Sequence, residues 1–543
     1  MPHNLPTTTS RLLGALAIAG VLILDACGGG GSGNNNLVPV TPTPTPTPPI
    51  STAACPTSGS APASVAFHTS AATTRRYAPV HGAQQFVPNQ LVVTYEGAAP
   101  DIHASRIADL AFPGSAVRAR VIGTGGADVD ALAQRIRSMP GVKSVSRVSY
   151  RSRMTAAAND PYYVGFTGTS APYFETATIP GQWDMHAIDM DGAWAQFTSA
   201  PVVGAPIAIV DTGVDVTHPE LITPAGVAKP KVARTQCYVT FPASSGQTTG
   251  PYVTDTDGHG TNVAGIADGD TNNSFAFAGV AFDAPLLAYR IFPTTPAGGC
   301  EVSNPPAQCD ATSTDEASAI NDAVAHGAKV INLSLGAAPP CSSGDPEYQA
   351  VENAIAHGVV VVAASGNGAG NPAVGQPYLD CPAADPGVIA VGASALNDTN
   401  PLSIFEYVAS YSNYVSNHGT ASGGAFLVAP GGDPCPTSTG SCDDSDNLHW
   451  IEHIYSSTAV QTGQCASTAP ANEAGDCRIE IAGTSQATPH VVGVVSLMLA
   501  KNPSLTPSQI AAGLCATADN IGDTKQGCGR VNAAAAVSWA ATH

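Results

Sequence analysis

Charge is what this chain has least of. Only 11% of its 543 residues are Asp, Glu, Lys or Arg, against about a quarter in ordinary globular proteins. Lys and Arg number 21, and only nine of them follow residue 155, scattered among 35 acidic residues. Nine scattered cations cannot line a groove for a polyanion, which excludes nucleic acid as a partner. Long apolar runs are missing too. One uninterrupted run, residues 12–24, follows Arg11, and its 13 residues are too few for a permanent membrane span. None of the 13 cysteines has the paired Cys-x-x-Cys spacing of a structural zinc site.

Gly, Ala, Ser, Thr and Pro fill the space that charge leaves. That gives a turn-rich, weakly charged surface, typical of an exported protein. The length exceeds one ordinary domain and predicts a large domain with smaller appendages.

The first 63 residues cannot bury a core. Ala26-Cys27 after the apolar run resembles a bacterial lipoprotein signal, in which the cysteine is lipidated and becomes the new N-terminus, although Asp25 is an unusual neighbour. Plain secretion with Cys27 incidental is the alternative. A Gly/Asn-rich coil then leads to Thr41-Pro42-Thr43-Pro44-Thr45-Pro46-Thr47-Pro48-Pro49, an extended spacer of roughly 3 Å per residue. The expected division is a signal at 1–26, lipid-attachment Cys27 and linker at 27–63, a small domain at 64–155 and a large one at 156–543. The expected location is the outer membrane or cell surface, otherwise the medium.

Residues 64–155 hold 11 basic and five acidic residues, the reverse of the large domain. Opposite charge on two parts of one chain gives mutual attraction; two domains of different composition is the bland alternative. Within the small domain, Leu91-Val92-Val93-Thr94-Tyr95 reads as a strand and 102–110 as a helix. A strand follows at 117–122, then a helix opened by Asp128 with Val129, Leu132 and Ile136 on one face. Pro140-Gly141 ends it before a final alternating strand, 142–148.

Three motifs carry the chemistry of the large domain. Pro206-Ile207-Ala208-Ile209-Val210-Asp211-Thr212-Gly213 is a buried strand ending on a carboxylate, where open α/β sheets place their sites. Asp257-Gly258-His259-Gly260-Thr261 sets an imidazole between glycines at the start of a small-residue helix. Gly483-Thr484-Ser485-Gln486-Ala487-Thr488-Pro489-His490 puts a serine at the start of an apolar helix, with Pro489 expected in its first turn. The positive helix end favours a negative oxygen beside that serine. Singly these read as a turn, a core histidine and an N-cap. Between them, the apolar run 359–364 leads into Ser365-Gly366-Asn367-Gly368, and Val330-Ile331-Asn332-Leu333-Ser334-Leu335-Gly336 reads as a further strand.

Together, in this order, the motifs resemble the subtilisin-like serine proteases (peptidase S8) over about residues 180–540, from Gln182-Trp183 and Ala193-Trp194 to Gly529-Arg530-Val531-Asn532-Ala533. The resemblance implies an α/β, three-layer fold with a mainly parallel central sheet, preceded by a small α+β ferredoxin-like inhibitory propeptide. It implies an endopeptidase with Asp211, His259 and Ser485 as triad, Asn367 in the oxyanion hole, and Ser334, Leu335, Gly336 and Gly366 in the substrate cleft. Polypeptide substrates and the chain's own propeptide as intramolecular inhibitor follow; membrane anchoring by lipid is expected from the Cys27 motif, and a monomer is expected. The scissile bond of maturation is expected between Tyr150 and Asp160, with the mature chain starting near Asn159. No cofactor is needed for the chemistry. Glu220 and Asn273 match positions of a structural calcium site, a metal-free surface loop being the alternative. Stretches 296–312, 339–347 and 432–480 are insertions rich in cysteine. Local clasps Cys300/Cys309, Cys465/Cys477 and Cys515/Cys528 are suggested. An odd cysteine among the eleven after residue 155 is free or paired elsewhere, Cys237 being the candidate. A catalytically idle surface lipoprotein that uses the fold for binding is the competing reading.

Overall fold

The computed structural model describes 55–56, most of 86–149, 158, 160–164, 182–197, 203–222, and from 231 to 543 all but 241–245, 274, 294–309, 369–373, 398–404, 416–423, 434–449 and 460–476. The expected signal, Cys27, the Thr-Pro spacer and the Cys300/Cys309 clasp lie outside the described residues. The chain divides into two units, 68–156 and the remainder.

In the smaller unit, β1 (Phe86–Glu96), β2 (Ser105–Ala111), β3 (Val117–Gly123) and β4 (Val142–Ser149) form an antiparallel sheet in the order β2-β3-β1-β4. Helix α1 (Val129–Arg137) starts on an N-cap from Asp128, whose carboxylate accepts the Ala131 N–H at 2.8 Å. Leu132 and Ile136 of α1 pack with Leu91, Val93 and Ile122 of the sheet. The helix expected at 102–110 is instead strand β2. Ile107 and Leu110 lie three apart, as on a helix face, but pairing with β3, with an irregularity between Arg106 and Ala108, supplies the backbone partners. Among the described residues this unit therefore has one helix rather than two.

In the larger unit, continuous apolar runs form the central strands of a nine-stranded sheet, as the sequence predicts for strands covered on both faces. Short helices α2 (Pro161–Val164), α3 (Trp183–Ala187) and α4 (Met190–Trp194) precede β5 (Ile207–Asp211). Then come β6 (Val232–Val239), β7 (Thr248–Gly250), α5 (His259–Asp268), β8 (Leu286–Arg290), α6 (Ser313–Ala325), β9 (Val330–Leu333), α7 (Pro346–Ala356), β10 (Val360–Ala364) and β11 (Ile389–Asn397). The remaining elements are β12 (Phe405–Val408), β13 (Ala425–Pro430), the hairpin strands β14 (Ile451–Ile454) and β15 (Arg478–Ile481), α8 (Thr484–Lys501), α9 (Pro507–Thr517) and α10 (Ala533–Ala540). Sheet order is β12-β11-β10-β9-β5-β8-β6-β7, with β13 on β11. Its inner pairings are parallel; β12 and β7 close the edges antiparallel.

Alternate residues of β5 serve opposite cores. Ile207 and Ile209 join the core that includes α5, α8 and α10; Ala208 and Val210 join the one that includes α6 and α7. This is a three-layer α/β fold with a mainly parallel central sheet. Helix α8 is buried through most of its length, and each fully buried Val or Leu in it contributes roughly 1.5–3 kcal/mol. The residue at its start is thereby fixed. No helix among the described residues is long and apolar enough to cross a membrane.

Among the described residues, disulfides join Cys515 to Cys528, as the spacing suggested, Cys341 to Cys381, and Cys55 to Cys237. Cys237 is thus paired outside the large domain rather than free. Cys477 is also disulfide-bonded, but Cys465 lies outside the described residues.

Candidate active site

Asp211 ends β5 and is fully buried. Its Oδ1 meets His259 Nδ1 at 2.8 Å and accepts the Thr212 N–H at 2.7 Å. His259 opens α5, and Gly260 behind it has no room for a side chain: a methyl there would stand 2.1 Å from the Gly213 carbonyl. Gly258 adopts φ +106°, in the left-handed region that favours glycine. Burial alone would push the His259 imidazole down, but the Asp211 carboxylate, backed by Asp257 and Asp255, holds it up at about 9.

Asp255, not singled out in the sequence, organises this turn. Its Oδ1 accepts from Thr212 Oγ1 at 2.9 Å and the Gly258 N–H at 2.8 Å; its Oδ2 accepts from the Thr261 N–H at 2.9 Å and Thr261 Oγ1 at 2.6 Å. One buried carboxylate therefore ties the residue after Asp211 to both ends of the His259 turn. Its only sequence signal is a second acid two residues before Asp257.

The described part of the 432–480 insertion braces the same turn. Ser456 Oγ and Thr458 Oγ1 donate to the Asp255 carbonyl at 2.6 and 2.8 Å, and Tyr455 donates to the Asp257 carbonyl. A methyl on Gly258 would collide with the Tyr455 ring.

Ser485 is the second residue of α8. Its Oγ donates to the Ser334 carbonyl at 3.2 Å. Pro489 is the sixth residue of α8, not a first-turn residue as expected. A proline there leaves the carbonyl four residues back without its helical donor. That carbonyl belongs to Ser485, and Ser334 Oγ donates to it at 2.8 Å. Ser334 is itself held by Asn332 Nδ2 at 2.9 Å. The residue just after β9 thus satisfies the carbonyl that the proline leaves open in the helix carrying Ser485. His490 is fully buried and ties α8 to α3 through Asp184, at 2.9 Å.

Asn367 presents its amide nitrogen to this side. Its Oδ1 is taken by the Thr484 N–H at 2.9 Å and Thr484 Oγ1 at 2.7 Å. An atom placed as a Cβ on Gly483 would lie 3.6 Å from both Asn367 Nδ2 and the Ser485 N–H nitrogen. Both nitrogens therefore lie close to the start of α8, beside Ser485. Gly336 and Gly366 follow β9 and β10; Leu335 packs partly buried against the α6/α7 core.

Glu220 and Asn273 come together but do not fit a calcium ion as they stand. Glu220 Oε1 accepts the Phe277 N–H and Oε2 accepts Asn273 Nδ2, both at 2.8 Å; Asn273 Oδ1 accepts the Phe275 N–H at 2.8 Å. Burial, with Asp160 and Asp270 nearby, pushes the Glu220 carboxyl well up. Buried Lys231 already faces Asp268 at 3.5 Å and Asp270 at 4.0 Å. Among the described residues no group of three or more His, Cys, Asp or Glu side chains is arranged to hold a metal.

A model of the subtilase family matches residues 203–530. Thermitase of Thermoactinomyces vulgaris is 33% identical over 370 residues, covering 68% of this chain and 98% of thermitase. Halolysin of Haloferax mediterranei is 31% identical over 396 residues, 73% of this chain and 59% of halolysin. Subtilisin Savinase of Lederbergia lenta is 31% identical over 335 residues, 61% of this chain and 90% of Savinase.

Proposed function

The chain belongs to the subtilase family and is a serine-type endopeptidase, and from that premise we propose that Asp211, His259 and Ser485 are its catalytic triad. The observation that carries this reading is the 2.8 Å His259–Asp211 contact inside a buried turn. A serine hydroxyl is hardly ionised at neutral pH and needs a neighbouring base. Ser485 leaves the Ser334 carbonyl, gives its proton to His259 and attacks the peptide carbonyl. Asp211 holds the imidazole tautomer and stabilises the cation, which then protonates the leaving amine. Asn367 Nδ2 and the Ser485 N–H receive the oxyanion. Water hydrolyses the acyl-enzyme by the same steps in reverse.

The second part of the proposal is that the enzyme is exported as an inhibited precursor, anchored by lipid on Cys27, and that residues 64–155 are its inhibitor. Net charges of opposite sign favour their docking. The cut falls between Tyr150 and Asp160, leaving Asp160 and Tyr162 in the mature chain. Asp160 accepts the Asn272 and Asn273 N–H groups at 2.7 and 3.1 Å, and Tyr162 stacks on Phe277 at 4.4 Å. Losing them would open the enzyme's own core. The test is covalent labelling by an active-site serine probe. Labelling of the wild type, and none of Ser485→Ala, is expected; an unlabelled wild type would favour the idle binding protein.

A further inference from the structure

Asp380 stands between the carboxyl ends of two central strands. Its N–H donates to the Ser365 carbonyl, just past β10, at 3.0 Å. The next residue, Cys381, exchanges both backbone bonds with Ala337, just past β9, at 2.8 and 2.9 Å. Both cleft glycines abut it: a methyl on Gly336 would lie 3.2 Å from Asp380 Cβ, and one on Gly366 2.3 Å from Asp380 Oδ2. Gly366 adjoins Asn367, the proposed oxyanion donor. Asn413 Nδ2 donates to Asp380 Oδ1 at 3.2 Å, and no cation among the described residues pairs with the carboxylate. Burial raises this acid to about 6, so it stays mainly ionised at neutral pH.

Resting on the triad reading, we propose that Asp380 selects substrates carrying Lys or Arg on the residue that supplies the scissile carbonyl. A cation there neutralises the half-buried charge, and a carboxylate is repelled. The chain's own maturation segment offers Arg151 and Arg153, which sets the new N-terminus at Ser152 or Met154. The experiment uses peptides that differ only at that residue: Lys, Arg, Leu or Glu. At least a tenfold preference in kcat/KM for Lys and Arg over Leu is expected, falling to near parity in Asp380→Asn. Equal cleavage by the wild type, or a preference that survives Asp380→Asn, would overturn the assignment. A wild type that the serine probe fails to label would overturn the triad reading instead, and this inference with it.

The Cys55–Cys237 bridge carries a second inference independently. Cys237 in β6 is fully buried and Cys55 is 7% exposed; with Val239 they form an apolar cluster of their own. The Cys55 N–H donates to Thr248 Oγ1 at 3.2 Å, and that hydroxyl donates to the Val239 carbonyl at 2.9 Å. A methyl on Gly250 would meet Cys55 Cβ at 3.6 Å and the Pro56 carbonyl at 3.8 Å. Residues 55–56 are thus seated on the β6–β7 edge of the large unit, while the whole of 68–156 lies between the bridged cysteines.

We infer that this disulfide keeps the N-terminal segment joined to the peptidase after the precursor is cut. Hydrolysis of one amide near 151–157 adds one water, giving a carboxylate and an amine, and leaves the S–S bond untouched. The product is a two-chain molecule. An inhibitor held this way stays at an effective concentration on the order of millimolar. It departs only after a second cut between 57 and about 67, or when two thiols reduce the bridge and leave as a disulfide. Anything attached at Cys27 stays with the peptidase through either cut. Only the natural cut depends on the precursor reading, so the test uses full-length Ser485→Ala with an exogenous protease site inserted at 154–157. After cleavage, one species a single water heavier than the precursor is expected without reductant, and two with dithiol. Cys55→Ser in the same background should give two species without it. Fragments that part without reductant in the Cys55-containing protein would overturn the tether. An uncut wild type would count against the precursor alone.

Discussion

The two halves of the site are built from opposite materials. The Asp211–His259 half is held by carboxylates: Asp211 on the imidazole, Asp255 on five donors around it, Asp257 beside it. The Ser485–Asn367 half is held by neutral groups: Thr484, Ser334, Asn332 and the start of α8. The chemistry explains the division. Histidine gains positive charge during turnover and is served by fixed anions; the substrate oxygen gains negative charge and is served by N–H donors and the positive helix end. Asp380 fits this division only if a substrate cation covers it when the oxyanion forms.

The largest expected effect breaks the neutral half at its nucleophile. Ser485→Ala should abolish hydrolysis, with a loss on the order of 10⁶ in kcat, the scale known for subtilisin itself. It should also leave the precursor uncut while the circular dichroism is unchanged. Hydrolysis at wild-type rate would remove the triad assignment.

Breaking the charged half should cost somewhat less and change the pH profile. Asp211→Asn should lower kcat by about 10⁴. The imidazole must be neutral to act as base, so the wild-type rate should climb with pH toward about 9. Without the carboxylate that limb should move down, measured as kcat/KM from pH 5 to 10. The same shift bears on stability. A folded-state value above the unfolded 6.5 adds stability that is fully present below 6.5 and lost as pH rises through about 9.

Removing one oxyanion donor comes next. Asn367→Ala should lower kcat by about 10²–10³ with KM little changed, the range found for such a donor in subtilisin. An equal rise in KM would mean that Asn367 binds the ground state as well.

The same contrast separates what the sequence discloses from what it hides. Asp211, His259, Ser485 and Asn367 sit in short strings whose residue types are dictated locally by a buried strand, a tight turn or a helix start. The tie from Asp255 back to Thr212 and the 455–458 braces act across long separations, which short strings do not reveal. Cys237 shows the same limit, since its partner lies 182 residues away. Strand β2 is hidden for a related reason: its apolar spacing suits a helix, and only the edge of β3 decides otherwise. Pro489 is legible as a proline, but its cost falls on a carbonyl that a residue just after β9 satisfies.

That repair gives the smallest and most discriminating prediction. Ser334→Ala removes the donor to the Ser485 carbonyl and the acceptor of Asn332 Nδ2. Leaving buried groups unpaired costs about 1–3 kcal/mol. Pro489→Ala restores a helical N–H four residues beyond that same carbonyl. In a Ser485→Ala background, where the backbone carbonyl is kept and self-cleavage is blocked, the two changes should be coupled. Ser334→Ala should destabilise less when Pro489→Ala is already present, because the helix then satisfies the carbonyl itself. Urea unfolding of the four proteins measures the coupling, expected at about 0.5–1.5 kcal/mol, the net worth of one hydrogen bond. Strict additivity would show that Ser334 does not compensate for Pro489, and that the neutral half is held by the burial of α8 alone.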